Sequence, residues 1–355
     1  MKDKLEKNYY CKEILNTSND KYYDMIIIGA GLSGCVLGYL LKKQNKKVLI
    51  VENKDMKNKS KLCGGLLTEK SYNLLNEIYV NDIENLNFSL YKKNYIINNS
   101  KNIEFNNFKT YTINRKDLDD FVLKEYLKLN GKIMDNSKFS DLDIENKEIN
   151  INNEKHSFNY LIAADGIFSS VRKELTNRNQ RKVFALENNF ITEKFENLEI
   201  HFFDKLKSFG WIIPNIKCTM IGIGDVSGKI KLEEDYNSYL KQLNIKCHNK
   251  KGAFLPTGDD ILLEYGDFVK FIGDAAGLIS PITGEGIFYA ITSAKFLSED
   301  FINYKKSMRK NIKQIREESF YKRFVYNYKI RNFIFDRSDK KMFRGIINKF
   351  AKKIL

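Results

Sequence analysis

The sequence predicts a two-lobed α/β (α+β) protein: a Rossmann-like domain, an antiparallel β-sheet domain inserted into it, and a basic helical C-terminal segment. Three observations carry the prediction. Asp24 to Glu52 reads as strand, glycine-rich turn, helix and strand; residues 87–113 and 183–226 alternate with period two; and Phe268–Ile272 delivers a second glycine-rich turn before a long helix. The expected organisation is an N-terminal extension over 1–23, a Rossmann-like domain from 24–80, 107–176 and 264–300, a β-rich domain from 81–106 and 177–263, and the basic segment 301–355.

In the opening unit the apolar strand Met25–Ile28 runs into Gly29-x-Gly31-x-x-Gly34, with Leu32 and Ser33 at the helix start. Gly29 permits the tight turn, Gly31 has no Cβ to block a pyrophosphate, and Gly34 lets helix and strand pack closely. The anion then meets the unpaired N–H groups of the helix N-terminus. The second strand, Val48–Val51, ends on Glu52 and Asn53, where an acid accepts hydrogen bonds from an adenosine ribose. A dinucleotide site is the expectation. Met25 to Leu41 holds 17 uncharged residues, short of the ~20 that a membrane-spanning helix needs, and glycine recurs within it.

Charge and cysteine usage narrow the class. The formal charge of +15 is concentrated at the end: residues 301–355 hold 17 Lys and Arg against 4 Asp and Glu. With no zinc spacing and no RNA-binding signature, nucleic acid is not an expected partner. The 5 cysteines, at 11, 35, 63, 218 and 247, form no CxxC pair and include an odd one, which suits a reducing, cytoplasmic compartment. No metal centre is expected, and the histidines at 156, 201 and 248 lie outside every motif. His156, beside an expected turn, reads as exposed.

Further along, a lysine-rich loop leads to Cys63-Gly64-Gly65, whose adjacent glycines suggest backbone pressed against something flat, and then to a helix from Thr68 to Glu77. Asn114 N-caps a helix running to Leu129. Arg115 lies in its first turn, where a cation gains nothing from the helix dipole, which hints at an external anion. A strand near Tyr160 ends in Asp165-Gly166, placing a carboxylate and bare backbone at the carboxyl end of the sheet, where open α/β folds bind ligands. Lys231 to Leu243 has helical spacing. Gly273-Asp274 and then Gly284-Glu285-Gly286, with a helix from near Gly284 to about Asn303, repeat the anion-binding device. Gly222-x-Gly224-x-x-x-Gly228 lies among strands and is no second dinucleotide fingerprint.

Together these segments resemble the flavoprotein superfamily typified by p-hydroxybenzoate hydroxylase, over roughly residues 24–300. Three motifs occur in that family's order: GxGxxG with its acid (Gly29, Gly31, Gly34, Glu52), DGxxSxVR (Asp165, Gly166, Ser169, Val171, Arg172), and GDAAG followed by PxxGEG (Gly273, Asp274, Pro281, Gly284, Gly286). Cys63-Gly64-Gly65 and Phe209-x-Trp211-x-Ile213-Pro214, followed by Gly222-x-Gly224, look like the geranylgeranyl reductase branch, which usually has Tyr where Phe209 stands and Phe where Ile213 stands. The second stretch is also similar to a signature of flavin-dependent halogenases, with Phe209 replacing a tryptophan.

The resemblance implies FAD as cofactor. Asp274 would accept from a ribityl hydroxyl, Arg115 would meet a flavin phosphate, and the Gly284–Gly286 helix start would face the flavin's pyrimidine edge. On the leading reading, reduced flavin gives a hydride to a carbon–carbon double bond of a polyprenyl or other lipid-like substrate. Phe209, Trp211 and Ile213 would line an apolar cavity, and Cys63 would sit at the flavin to gate or donate. The alternatives are a monooxygenase or halogenase acting on a small aromatic, and a flavin-holding protein that binds partners. Electrons would come from NAD(P)H or a ferredoxin-like protein.

The tail Phe343 to Leu355 carries apolar residues at helical spacing with Arg344, Lys349, Lys352 and Lys353 on the other side. Such a helix docks on the protein's own core or lies in an anionic membrane interface. The sequence leaves both open, together with the oligomeric state.

Overall fold

The computed structural model describes residues 21–354 apart from 81, 100, 106–107, 193, 204–207, 217, 226–231 and 247–249. The extension 1–20, Cys11, Gly228, Cys247 and His248 lie outside the described residues.

A parallel run of strands, Val269–Phe271, Glu154–Ala163, Tyr22–Ile28, Val48–Val51 and Lys132–Met134, forms the centre of the first sheet. The first strand thus begins at Tyr22, inside the expected extension, because Tyr22 and Tyr23 pair with Ser157 and Phe158. Every residue of Val48–Val51 is buried, as a strand covered on both faces must be. Helix Leu32–Lys43 packs against Ile287–Glu299 and Arg115–Lys128. The expected cap is in place, with Asn114 accepting from the Lys116 N–H (2.9 Å), while Thr68, expected as a first helical residue, instead caps Glu69–Ile78 by accepting from Ser71. The last long helix of this lobe is shorter than its apolar pattern suggested, because Ser280–Gly286 turns back on itself through the Ser280 N–H to Glu285 carbonyl bond (3.0 Å).

The second lobe is a 7-stranded sheet in the order 251–256, 182–190, 219–225, 208–214, 198–202, 94–98, 101–105. Its pairings are antiparallel except where Leu198–Phe202 runs parallel to Asn94–Asn98. Alternation gives it two faces. Leu186, Ile212, Ile221 and Ile223 pack under helix Leu232–Gln242, while Phe209, Ile213 and Met220 face the other way, toward the first lobe. A small sheet of Leu66–Thr68, Thr110–Thr112 and Ser89–Tyr91 joins the lobes, so the boundary expected at residue 81 runs through it.

The basic segment folds as helices Arg309–Val325, Tyr328–Phe335 and Lys341–Ile354 against that second sheet. Arg331 fixes them, donating to Asn98 Oδ1 (2.6 Å) and to the carbonyls of Val325 (3.1 Å) and Phe203 (2.8 Å). The amphipathic tail docks through Ile347, which is 1% exposed, while Met342 and Ile346 on the same helix are 65% and 44% exposed. The stripe's side chains from Lys349 onward lie outside the described residues. His156 is buried, its ring 6.1 Å from that of Tyr23, so the expectation of exposure fails: the turn, Asn152-Asn153, ends three residues earlier and His156 lies within the strand, facing the core.

Candidate functional site

Register brings the glycine corners together. Ile28 pairs with Val51 on one side and Ala163 on the other, and Ala163 pairs with Phe271. Gly29, Glu52, Ala164-Asp165 and Ile272-Gly273 therefore emerge at one level of the carboxyl edge. Gly29 has φ +108°, and a Cβ there would fall 2.4 Å from the Ala164 carbonyl oxygen, so two corners touch only because the residue is glycine.

They open on one cavity of about 920 Å³. Its nucleotide end is lined by Gly29, Gly31, Leu32, Ser33, Glu52 and Asn53, and its middle by Cys63, Gly64, Arg115, Asp165, Gly166 and Asp274, with Gly284, Glu285 and Gly286 beyond. Gly34, Gly65 and Gly273 stand behind this wall, in the tight packing that holds its loops: a Cβ would fall 2.0 Å from the Gly29 carbonyl oxygen, 1.8 Å from that of Ile113 and 2.9 Å from Ser33 Oγ, respectively.

The walls fit an anionic, extended cofactor such as FAD. Helix Leu32–Lys43 starts at Gly31 with no side-chain cap and no acid in its first turn, as does Ile287–Glu299 at Gly286. A Cβ at Gly31 or Gly166 would meet nothing within 4 Å, so the bare backbone faces open space. Lysines that the sequence reading left in an unassigned loop stand here. Lys59 pairs with Glu52, and Lys61 Nζ lies 2.6 Å from Asp274 Oδ2. Burial works against charge on Glu52, but Lys59 and the N–H groups of Ala30 (2.9 Å) and Lys54 (3.1 Å) outweigh it and hold the carboxyl below its ordinary range.

Asp165 is turned onto the following helix: its Oδ2 accepts from the Ser170 N–H (2.7 Å) and hydroxyl (2.9 Å), while burial pushes its carboxyl up. Burial likewise pushes up Glu285, whose Oε1 accepts from the hydroxyls of Thr68 and Ser71, each at 2.9 Å. Both glycine-rich corners are thereby tied to neighbouring elements.

The other end of the cavity is apolar. Ile200, Phe202, Phe209, Trp211, Ile213 and Ile282 line it. The cysteine loop presses on this wall: a Cβ at Gly64 would fall 2.5 Å from Ile213 Cδ1, an aliphatic side chain of the facing lobe rather than the flat partner the adjacent glycines suggested. Arg115 is buried rather than solvated. Its Nε lies 3.0 Å from Asp119 Oδ1, with the Cys63 sulfur nearby; burial disfavours the cation, and these two partners more than restore it. Glu187 and Lys322 also line the cavity and were missed from sequence. Burial pushes the Glu187 carboxyl up to about 7 and the Lys322 ammonium down.

Comparison with known proteins agrees with this geometry. The family model for an NAD(P)-binding Rossmann-like domain matches residues 27–56. An uncharacterized protein of Methanosarcina barkeri is 30% identical over 296 residues, 79% of this chain and 74% of the relative. The digeranylgeranylglycerophospholipid reductase of Methanococcus vannielii is 24% identical over 80% of this chain and 81% of its own length. The chain belongs to the geranylgeranyl reductase family of FAD-dependent oxidoreductases. Among solved structures, the family's geranylgeranyl bacteriochlorophyll reductase-like protein from Thermoplasma acidophilum has a TM-score of 0.74 at 19% identity, covering 89% of this chain and 91% of that one. Monooxygenase and halogenase structures share the family's fold at 16% and 17% identity. Among the described residues, no helix is long and apolar enough to cross a membrane, and no cluster of side chains could hold a metal ion.

Proposed function

We propose that this protein reduces carbon–carbon double bonds of a polyprenyl or similar lipid-like substrate, using FAD. The observation that carries the reading is the continuity of one cavity from a bare-backbone anion cradle to a wall of Ile, Phe and Trp side chains. Bound and reduced, FAD supplies a hydride. Gly29, Gly31, Leu32 and Ser33 would hold its pyrophosphate on the helix N-terminus, with Gly34 packed behind them, and Glu52 and Asn53 would take the ribose in place of Lys59. Asp274 would hold the ribityl chain, with Asp165-Gly166 and Gly273 shaping the corner around it. Gly284, Glu285 and Gly286 would meet the pyrimidine edge, and Cys63-Gly64-Gly65 with Arg115 would flank the ring. Phe209, Trp211 and Ile213 orient the alkene and exclude water. NAD(P)H or a ferredoxin-like protein would supply the electrons.

The exposed Met342 and Ile346, on a helix of a segment with 17 basic residues, support peripheral contact with a membrane that holds such a substrate. The deciding experiment is anaerobic turnover of a geranylgeranyl lipid by the enzyme carrying chemically reduced flavin. A product heavier by two hydrogens per double bond is expected. No product without oxygen, and a hydroxylated aromatic with it, would favour the monooxygenase reading and overturn this one.

A further inference from the structure

In the strand Lys182–Phe190, Leu186 faces helix Leu232–Gln242 and the next residue, Glu187, faces the cavity. Glu187 is 5% exposed. It is opposite Gly222 on the neighbouring strand, and Gly222 is opposite Trp211 on the strand after that. The three residues form one row across the sheet. A Cβ at Gly222 would fall 2.3 Å from Cζ2, 2.4 Å from Cε2 and 2.7 Å from Nε1 of Trp211. The indole therefore lies flat across the glycine with its Nε1 edge over it, and Glu187, next in the row, is the carboxyl that edge acts on. An indole can only donate, so the carboxyl accepts. Gly224 continues the platform, its Cβ position 3.4 Å from Cζ3.

The other charged groups around this row are few. Lys251 is opposite Glu187 on the flanking strand but exposed, and Glu187 is in no ion pair among the described residues. Asp225, further along the glycine's strand, and Lys322, from helix Arg309–Val325, line the same cavity. Burial alone pushes the Glu187 carboxyl up to about 7, opposed only in part by Trp211. A buried acid poised near neutrality inside an apolar cavity suits proton donation.

We propose that Glu187 is the acid that protonates the substrate in alkene reduction, with Trp211, laid across Gly222, as the donor that holds its carboxylate afterwards. This rests on the reductase reading above. A hydride from reduced flavin forms the C–H bond at one alkene carbon. The π pair then takes the proton from the Glu187 carboxyl oxygen at the adjacent carbon, and the O–H bond breaks. The flavin is oxidised by two electrons, the double bond reduced by two, and the carboxylate regains its proton from water.

The test uses the full-length holoenzyme. Trp211 is the only tryptophan in the chain, so a protein labelled with 15N at the indole shows a single indole resonance. In the wild type that resonance is expected to titrate with a midpoint near pH 7, and in Glu187→Gln to stay flat while keeping its folded position. A flat wild-type profile between pH 5 and 9 overturns the proposal whatever the activity. In anaerobic single turnover at pH 6, where the wild-type acid is neutral, Glu187→Gln is expected to lose about a hundredfold or more in the rate of substrate reduction at unchanged substrate affinity, with partial rescue by Glu187→Asp. An active wild type with equally active Glu187→Gln overturns the proton-donor role and leaves the reductase reading standing. A wild type that reduces no alkene overturns both.

Discussion

The buried Glu187 makes a prediction about stability that needs no substrate. Its carboxyl is pushed up from the ordinary 4.5 to about 7 in the folded chain. Between those two values the folded protein holds a proton that the unfolded chain has released. Stability is therefore fully present below pH 4.5 and lost as pH rises through 7, by about 3.5 kcal/mol over the window at ~1.4 kcal/mol per pH unit. Between pH 5 and pH 8 the same relation gives about 2.5 kcal/mol. Other groups titrate as well, so the measurement is a difference: urea unfolding of wild type and Glu187→Gln at each pH, with FAD held at one saturating concentration so that its linkage cancels. The stability of Glu187→Gln relative to wild type is expected to rise by that amount from pH 5 to pH 8. A difference that stays constant with pH would refute the assignment of a neutral buried acid.

Other consequences are equally direct. Gly31→Val adds a side chain where the space is open, so the apoprotein's unfolding midpoint is expected to be unchanged while FAD affinity drops by at least about 2 kcal/mol, near thirtyfold; flavin absorbance after gel filtration measures it. Gly222→Ala drives a methyl into the indole and is expected to cost about 1–3 kcal/mol by urea unfolding and to shift the emission of the sole tryptophan. Met342→Ser with Ile346→Ser, both on the exposed side of the last helix, is expected to weaken sedimentation with anionic vesicles and leave stability unchanged.

The nucleotide half of the site was legible because each part is written locally. A strand of apolar β-formers, a glycine turn and a helix identify themselves within Asp24–Glu52, and the same grammar recurs at Asp165 and Gly273. The second lobe's strands were legible from alternation, and Trp211 from its motif. Glu187 was not, because in the strand Lys182–Phe190 a glutamate followed by two asparagines looks like a solvated face. The available signal was the glycine pair after Trp211: two residues without side chains beside a large ring imply that the ring crosses them toward something. Lys59 and Lys61 were hidden for another reason. Lys61 meets a partner 213 positions away, and no local pattern encodes a contact of that span. Arg331 is the same case, a charge in a basic run that turns out to anchor Asn98 and the Phe203 carbonyl, 233 and 128 positions away.

The charge state of Glu187 also couples substrate binding to pH. Water in the cavity is what an ionised carboxyl there would be solvated by, and an apolar chain entering beside Phe209, Trp211 and Ile213 removes it. Desolvation disfavours the charged form, so binding raises the carboxyl's affinity for its proton above that in the free enzyme. By linkage, the proton and the substrate favour each other: affinity is greatest below pH 7, where the acid is already neutral, and falls as pH rises past it. Each further pH unit weakens binding by up to about tenfold until the bound enzyme releases its own proton. Equilibrium binding of a saturated analogue, which occupies the cavity and cannot react, separates this from any effect on the chemistry. Glu187→Gln is expected to bind that analogue with the wild type's low-pH affinity at every pH. A wild-type affinity independent of pH from 6 to 9 would mean that the substrate leaves Glu187 wet, and an acid that stays wet in the complex has no line to the alkene.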